Sequence, residues 1–316
     1  MTMITRRQLV SGLGAAAWGL PAGSGPVRAA VGALTLREIA PGVHVAQGRQ
    51  ELFNAENAGF ISNLTVIFGS EGIAVVDTGG SMAVGRALLA AIGRISRLPV
   101  KVVINTHMHP DHIFGNAAFV ETGCVFAGNA KLPRALAARG ERYLAANKGD
   151  LGGAAFAGTR IIAPTLLVED RHSLDLGGRA LTLTARKTAH TDNDLTVRDE
   201  VTGTLILGDL LFSGHIPVVD GSLKGWLRLM DELALEKAER VVPGHGQPGL
   251  PWPQALDDQR RYLETLARDV RAVIKAGGTL EQALKSAGES ERARWLLFDD
   301  FHGRNITAAF AELEWE

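Results

Sequence analysis

The segment from Thr106 to His112 constrains this chain most, because it places three histidines and one aspartate within six residues. It follows the apolar run Lys101–Asn105, which has the composition of a buried strand. In extended backbone, residues two apart project to the same side, so His107 and His109 can bind one metal ion together. The chain is therefore expected to fold so that this strand ends at a metal site.

The residues that follow extend this pattern to a second ion. Pro110 favours a turn, or the first turn of a helix, directly after His109. Such a turn directs Asp111 and His112 toward a position beside the first ion. The run thus predicts two neighbouring metal positions.

Short apolar and β-branched runs predict a series of strands, and apolar residues at three- and four-residue spacing predict helices. The predicted strands are Leu64–Phe68, Ile73–Asp77, Lys101–Asn105, Cys124–Ala127, Ala180–Thr184, Leu195–Arg198, Thr204–Gly208 and Arg240–Pro243. The predicted helices are Met82–Ser96, Lys131–Asn147, Gly225–Ala238, Gln254–Ala276, Leu280–Ala287 and a last segment from about Glu291. We predict one α/β domain over residues 31–316, with a helical C-terminal part from about residue 254.

Polar residues that can bind or orient a metal ion follow several of the predicted strands. They are Asp77, the segment that begins at His107, His190, Asp209 and His245. Loops at one rim of a strand scaffold are where binding and catalytic sites are commonly built. The sequence therefore predicts one site assembled from distant parts of the chain.

The first 30 residues have the order of a bacterial export signal. The pair Arg6-Arg7 precedes a glycine- and alanine-rich apolar stretch, and cleavage is predicted near Ala29-Ala30. These features resemble signals of the twin-arginine route, which implies a periplasmic protein. The apolar stretch is shorter than the roughly 20 residues that span a membrane. An uncleaved anchor and a disordered tail are the alternatives, and we expect no stable membrane insertion after processing.

Charge and cysteine content narrow the function classes. Removal of residues 1–30 takes away three arginines and no acidic residue, so the formal net charge moves from −1 to −4. A mildly acidic protein lacks the basic surface that nucleic-acid binding requires, so a small-molecule substrate is expected. Cys124 is the one cysteine, so no intrachain disulfide can form.

The order of these motifs resembles that of the metallo-β-lactamase-fold hydrolases. The resemblance rests on Asp77, the His107–His112 segment, His190, Asp209 and His245, and it covers nearly all of the chain after residue 30. It implies a four-layer αββα sandwich with a two-metal site at one edge of its sheets.

The resemblance also implies a role for each motif residue. The first metal would be bound by His107, His109 and His190, the second by Asp111, His112 and His245, and Asp209 would bridge the two. Imidazole and carboxylate ligands without a thiolate suit two zinc ions, and iron or manganese are also compatible. In two-metal sites the ions share a water whose pKa they lower, which supplies a hydroxide nucleophile.

Several further residues receive predicted roles. Asp111 is also predicted to act catalytically, by orienting the shared water and carrying a proton to the leaving group. Asp77 is predicted to orient a ligand without touching metal, and Asp192 or Asp194 near His190 could do similar work. The predicted lining of the substrate groove is His215, Lys224 and His302.

A narrower resemblance is to the quinoprotein relay system zinc metallohydrolases, which include relatives encoded beside sulfur-oxidation genes. It rests on five segments and on the C-terminal run from Phe310 to Glu316. The segments are Asn63–Phe68, Val76–Ser81, Asn105–Asn116, Ala189–Thr196 and Asp220–Trp226. This resemblance implies an exported enzyme that works near a quinoprotein dehydrogenase or its cytochrome.

The predicted function is an exported dizinc hydrolase that cleaves a small ester, thioester or lactone with a metal-bridging hydroxide. Three alternatives remain open. One is a metallo-β-lactamase, which Asp209 disfavours because the β-lactam-cleaving relatives with a thiolate there carry cysteine. Another is a mononuclear iron enzyme of the persulfide-dioxygenase type, which the complete second ligand set disfavours. The third is a non-catalytic accessory protein of a quinoprotein dehydrogenase.

Overall fold

The computed structural model describes residues 32–316. The predicted signal sequence at residues 1–30 lies outside this range. Within the described residues, no helix combines the length and the apolar character needed to cross a membrane.

The strands form two sheets. The seven-stranded sheet has the order β1 to β7, and its strands are β1 (Arg37–Ala40), β2 (Val43–Ala46), β3 (Leu64–Phe68), β4 (Ile73–Val76), β5 (Val100–Ile104), β6 (Val125–Asn129) and β7 (Leu166–Val168). The five-stranded sheet has the order β12-β11-β10-β9-β8, and its strands are β8 (Arg171–Asp175), β9 (Ala180–Ala185), β10 (Leu195–Asp199), β11 (Thr204–Phe212) and β12 (Arg240–His245).

Helices cover the outer faces of both sheets. They are α1 (Met82–Ile95), α2 (Pro110–Ile113), α3 (Leu132–Phe156), α4 (Leu223–Ala234), α5 (Asp257–Lys275), α6 (Leu280–Ser286) and α7 (Phe298–Leu313). Short 3₁₀ turns precede α5 and α7. The predicted helical C-terminal part is thus present from Gln254 onward.

Strand direction brings the site residues to one edge of the molecule. Strands β1 to β4 pair antiparallel, whereas β4, β5, β6 and β7 pair parallel. In the other sheet β11 and β12 are also parallel. Parallel neighbours end at the same edge of a sheet, so the residues that follow β4 and β5 lie together.

Three apolar layers hold the sandwich together. The two sheets pack on each other through side chains such as Ile67, Val102 and Leu183. Helices α1 and α3 pack on the outer face of the seven-stranded sheet, and α4, α5 and α7 pack on the other sheet. At about 25 cal/mol per Å² of apolar surface, burial of these layers is the main stabilising term. The predicted four-layer α/β sandwich is confirmed.

The structure also corrects the sequence interpretation of one helix and adds four strands. Helix α3 continues past the predicted end at Asn147, because Leu151 before a kink at Gly152, where φ is +75°, and Phe156 after it bury against the same layer. Strands β1, β2, β7 and β8 were not predicted. The first three are only three or four residues long, and the side chains of β8 are mostly exposed and show no alternation of apolar and polar residues.

The C-terminal residues secure α4 to α7. The carboxylate of Glu312 accepts hydrogen bonds from the Ser222 hydroxyl and from the backbone N–H of Leu223, at 2.6 and 2.7 Å. A negative group at a helix N-terminus satisfies free N–H groups and interacts favourably with the helix dipole. This contact positions the loop before α4, which contributes a residue to the site.

Candidate metal centre

The strand ends bring the predicted site residues together. Asp77 directly follows β4, and His107 lies three residues after β5. Asp209 lies within β11, and His245 is the last residue of the neighbouring parallel strand β12. His190 is on the loop that joins β9 to β10.

Gly244 allows the two parallel strands to approach at the site. A Cβ atom at this position would lie 1.9 Å from Oδ1 of Asp209. Any other residue would therefore displace the Asp209 carboxylate from its place beside His245. Glycine at position 244 is thus required by the packing of the site.

The first group of candidate ligands contains three histidines. Nε2 of His190 lies 3.3 Å from Nε2 of His107 and 3.0 Å from Nδ1 of His109. Oδ2 of Asp209 faces the same point, 3.7 Å from His107 Nε2 and 3.4 Å from His190 Nε2. These four side chains form one of two groups that could hold an ion.

The second group faces the other oxygen of Asp209. Oδ2 of Asp111 lies 3.3 Å from His112 Nε2 and 3.2 Å from His245 Nε2. Oδ1 of Asp209 lies 3.1 and 3.4 Å from the same two nitrogens. One carboxylate thus directs one oxygen to each group, which is the geometry required of a ligand that bridges two ions.

The donors fit zinc in spacing and in chemistry. A tetrahedron with Zn–N bonds of 2.0–2.1 Å has edges of about 3.3 Å, close to the donor separations in both groups. Within residues 32–316, His112 Nε2 and Asp209 Oδ1 are buried without a hydrogen-bond partner, although both point into the second group. Buried polar atoms are normally satisfied, so a cation that accepts these lone pairs accounts for their placement.

In two histidines of the first group, a hydrogen bond engages the outer nitrogen, which is the ring nitrogen that faces away from the other ligands. His190 donates from Nδ1 to the Val218 carbonyl at 2.7 Å. His107 Nδ1 lies 3.0 Å from the Thr106 hydroxyl. A proton on the outer nitrogen leaves Nε2 as a lone-pair donor directed into the group, which is the tautomer that metal binding requires.

Asp192 and Asp194 do not orient His190, so that interpretation is wrong. The carboxylate of Asp194 instead accepts hydrogen bonds from Thr191.

Asp77 lies behind the second group. Its Oδ2 accepts a hydrogen bond from Nδ1 of His112 at 2.7 Å, and its carboxylate also accepts from the Thr106 N–H and hydroxyl. Its φ of +61° is in the left-handed region, a conformation that costs free energy and is retained here by these contacts. Asp77 thus occupies an orienting position and belongs to neither ligand group.

Asp220 has an orienting contact that the sequence interpretation missed. Its Oδ2 lies 3.1 Å from Nε2 of His109, and Arg304 donates to Oδ1 at 2.7 Å. Arg139 contacts Oδ2 from helix α3. The segment Asp220–Trp226 had signalled a family resemblance, but only the structure shows that its first residue contacts a candidate ligand.

The protonation states of the first group suit metal binding. Burial and the charge of His112 keep the pKa of His107 well below its ordinary value, and burial lowers the pKa of His190 to about 3. Both imidazoles are therefore neutral at neutral pH. Burial raises the pKa of Asp209, but the neighbouring histidines outweigh it and hold this pKa well below its ordinary value. The first group therefore offers neutral nitrogens and an ionised carboxylate. In the second group, the carboxylates of Asp209 and Asp111 outweigh burial, raise the pKa of His112 well above its ordinary value and raise that of His245 to about 9, so a cation that binds there displaces protons from both rings.

A cavity of about 250 Å³ opens onto both ligand groups. It is lined by Glu51, Leu52, Phe53, Ile61, His109, Pro110, Asp111, Tyr143, Asn147, His190, Asp209, Phe212, His215, Val218, His245, Phe301 and Arg304. His215 therefore lies where a groove residue was predicted. Its Nδ1 donates to the Ile216 carbonyl at 2.6 Å, and burial lowers its pKa to about 4, so its ring is neutral.

The other two predicted groove residues lie elsewhere. Lys224 is on α4 outside the cavity, where its ammonium pairs with Glu316 at 3.3 Å. His302 is buried in the helical layer, with its ring nitrogens 3.0 Å from the Tyr262 hydroxyl and 2.8 Å from the Ala287 carbonyl. Two other residues of α7, Phe301 and Arg304, do line the cavity.

A larger open groove of about 530 Å³ beside strands β8–β10 lacks the chemistry of a metal site. Its residues Arg186 and Arg198 both bind the carboxylate of Glu236. Among residues 32–316, the two groups of possible metal ligands lie in the smaller cavity. The smaller cavity is therefore the candidate active site.

Comparison with known proteins assigns the class. The family model described as the Metallo-beta-lactamase superfamily matches residues 57–245. The matched region contains every residue of the two ligand groups. The chain therefore belongs to the metallo-beta-lactamase superfamily, the class of metal-dependent hydrolases that the sequence predicts.

Individual relatives match at different lengths. Linear primary-alkylsulfatase from Pseudomonas sp. (strain ATCC 19151) is 44% identical over 62 residues, which are 20% of this chain and 12% of that protein. The structure of the sec-alkylsulfatase Pisa1 from Pseudomonas sp. has a TM-score of 0.67 and 18% identity, covering 89% of this chain and 50% of that chain. The metallo-beta-lactamase from Pontibacter korlensis has a TM-score of 0.59 and 20% identity, covering 73% and 99%. The structural matches show a shared fold.

Proposed function

We propose that this protein is a dizinc hydrolase that cleaves a small ester, thioester or lactone. The observation that carries the proposal is the Asp209 carboxylate, whose two oxygens face two separate groups of buried ligands. Both groups lie at the wall of one cavity that is open to solvent. Such an arrangement can hold two cations roughly 3.5–4 Å apart beside a bound substrate.

Each ligand group has a defined part in this chemistry. Two zinc ions in these positions would polarise a substrate carbonyl and lower the pKa of a shared water. His107, His109 and His190 would hold the first ion, and Asp111, His112 and His245 the second. Most of the ligand side chains are themselves buried, which strengthens the electrostatic interactions among them.

Asp111 is the candidate proton carrier. It lines the cavity, and the charge of His112 holds its pKa well below the ordinary value in spite of burial. An ionised carboxylate at this place can accept a proton from the attacking water at Oδ1, since Oδ2 faces the second ligand group. It can then return the proton to the leaving oxygen or sulfur.

The cellular setting is part of the proposal. The order of paired arginines, apolar stretch and small residues in residues 1–30 supports export by the twin-arginine route to the periplasm. Ligands that are scattered from His107 to His245 meet only in the folded chain, so a route for folded proteins would allow metal loading before export. The five segments that resemble the quinoprotein relay group support a partner among quinoprotein dehydrogenases or their cytochromes.

A second candidate is the hydrolysis of an alkyl sulfate ester. The observation that favours it is the 44% identity to a linear primary-alkylsulfatase over 62 residues. The first step could use the same cations, since a sulfate ester also presents an oxygen that a cation can polarise. The two candidates differ in the bond that breaks and are separated by product analysis.

The test begins with the metal content of the chain from residue 30 to 316, measured by elemental analysis. The same sample is assayed on thioesters, lactones, aryl esters, alkyl sulfates and nitrocefin. About two zinc ions per chain with zinc-dependent turnover of an acyl substrate supports the proposal, and turnover of alkyl sulfates alone supports the second candidate. His172→Ala, an exposed substitution on β8, is the matched control for substitutions in the ligand groups.

Other outcomes would overturn the proposal in favour of a stated alternative. One iron per chain with oxygen uptake on a persulfide indicates dioxygenase chemistry. Cleavage of nitrocefin alone indicates a β-lactamase. Two zinc ions with no turnover, together with tight binding to a dehydrogenase or cytochrome, indicates an accessory protein.

A further inference from the structure

The lining of the cavity combines apolar and polar side chains. Leu52 and Phe53, on the segment before β3, are apolar. Tyr143 and Asn147 from α3 and Arg304 from α7 are polar. A substrate that fills the cavity therefore meets both hydrocarbon and hydrogen-bonding groups.

Arg304 belongs to a cluster of side chains with a net positive charge. Arg139 and Arg304 both bind Asp220, so two guanidinium groups share one carboxylate. The three side chains together have a formal charge of +1. Glu51, an acidic residue of the cavity lining, is paired with Arg49 at 3.8 Å.

The spare charge is accessible at Arg304. Its side chain is 51% exposed, and its contact with Asp220 uses Nη2. The other N–H groups of a guanidinium can donate in pairs to a planar oxyanion. Arg139 does not line the cavity, so the two arginines differ in access to a bound molecule although both touch the same carboxylate.

The position of Arg304 limits the distance between the anionic group and the reacting bond. A single carboxylate, that of Asp220, separates the guanidinium of Arg304 from the ring of His109. His109 is a candidate ligand of the first ion, where the scissile carbonyl would be polarised. A group on Arg304 is thus a few bonds away from the reacting carbonyl, and the cavity of about 250 Å³ is smaller than those that hold drug-sized ligands.

We infer that Arg304 is a specificity-determining residue that binds an oxyanion of the substrate. The substrate is then a small ester or thioester with a carboxylate or sulfonate-like group a few bonds from the scissile carbonyl. This inference rests on the proposed hydrolase function and narrows its substrate class. Tyr143 and Asn147, which line the same cavity, supply further polar contacts to the substrate, and apolar lining residues such as Leu52 and Phe53 contact its hydrocarbon part.

The experiment compares two esters that release the same phenol. Phenyl hydrogen glutarate has a free carboxylate, and methyl phenyl glutarate lacks this charge; the uncatalysed rate is subtracted for each. The zinc-loaded enzyme is expected to favour the anionic ester at least tenfold in kcat/KM. Arg304→Gln is expected to reduce this preference about 10- to 100-fold, as for a lost hydrogen bond to a charged group.

Arg139→Gln is the matched control, because it also removes one cation from Asp220 but does not touch the cavity. Both substitutions weaken the support of His109 and lower turnover of the neutral ester to a similar extent. Arg139→Gln is expected to change the preference less than about threefold. Equal changes of the preference in both variants, or no preference in the wild type, would overturn the inference while leaving the hydrolase function intact.

A binding measurement keeps the inference testable if neither ester is hydrolysed. The monoanilide of glutaric acid resembles the anionic ester and resists hydrolysis, so its Kd can be measured by calorimetry on the zinc-loaded protein. Weakening by tenfold or more in Arg304→Gln, but not in Arg139→Gln, supports the anion site. Unchanged affinity in Arg304→Gln contradicts it, and repetition with a sulfonate in place of the carboxylate shows which oxyanion the site prefers.

Discussion

The two ligand groups differ in how their histidines are held. In the first group His107, His109 and His190 all have a hydrogen-bond partner for the nitrogen that faces away from the group. In the second group His112 has such a partner in Asp77, whereas Nδ1 of His245 is buried without one among the described residues. The first group is therefore preorganised more completely than the second.

The support of the two groups also comes from different parts of the fold. Asp77 follows β4 and serves the second group from within the seven-stranded sheet. Asp220 serves the first group and is itself held by α3 and α7. The helical C-terminal part thus contributes to the metal centre through one carboxylate, which suggests that its packing and metal binding are coupled.

The largest expected effect comes from the residue that both groups share. Asp209→Ala removes the bridging carboxylate and leaves both groups incomplete, so hydrolysis is expected to fall by at least about 10³-fold while the chain stays folded. His107→Ala is expected to act similarly through the first group. Turnover, zinc content and circular dichroism are measured beside His172→Ala, and substantial activity in zinc-free His107→Ala would contradict the mechanism.

Substitution of the two orienting carboxylates tests whether the groups are supported separately. Asp77→Asn places an amide N–H or a weaker acceptor against His112. It is expected to lower the affinity for the second ion about 10- to 100-fold. Asp220→Asn is expected to lower the affinity for the first ion by a similar factor. Each affinity is measured by competition with a chromophoric zinc chelator. A loss of the same ion in both variants would show that the two supports are not independent.

The wild-type protein itself should reveal the difference between the groups. Because all three histidines of the first group are held and His245 of the second is not, stepwise zinc titration is expected to show two affinities that differ about tenfold or more. Partial removal by a chelator should then give a species with one zinc ion, detectable by native mass spectrometry. Cooperative loss of both ions without this species would contradict unequal preorganisation.

The smallest effect is expected at the C-terminus, where Glu316 connects α4 and α5. Hydrogen bonds from Arg271 and Lys224 lower the pKa of Glu316 from 4.5 to about 2. A carboxylate with a lowered pKa in the folded state contributes stability that is present above its unfolded pKa and is lost as pH falls through the folded value. Glu316→Gln should therefore lower the Tm slightly at pH 7, and the difference should disappear between about pH 4.5 and 2.

Much of the fold could be predicted because the periodicity of apolar residues distinguishes strands from helices. Strand β3 and helix α1 match their predicted limits closely, since buried apolar residues recur with the period of each element. Strand β8 is exposed and gave no such signal. The extension of α3 beyond Asn147 could not be predicted, because Gly152 interrupts the helical pattern before the last buried turn.

The site shows the same division between local and long-range information. The ligand types of the His107–His112 segment and the turn at Pro110 could be predicted locally, but the expected strand alternation is wrong, because β5 ends at Ile104 and residues 106–108 form a bend before α2. His215 could be assigned to the groove from its position shortly after Asp209. Lys224 and His302 were assigned wrongly, because nothing local distinguishes a groove residue from one that pairs with Glu316 or packs against Tyr262.

Sequence information alone was sufficient for the class of the protein and its candidate metal ligands, since the order of the motifs resembles that of the family and their residue types are those that bind metal ions. Tertiary structure decided which partners orient them: Val218 for His190, Asp220 for His109, and Arg304 beside the cavity. Each of these contacts joins residues at least 28 positions apart. Such contacts depend on how sheets and helices pack, and no local sequence pattern predicts them.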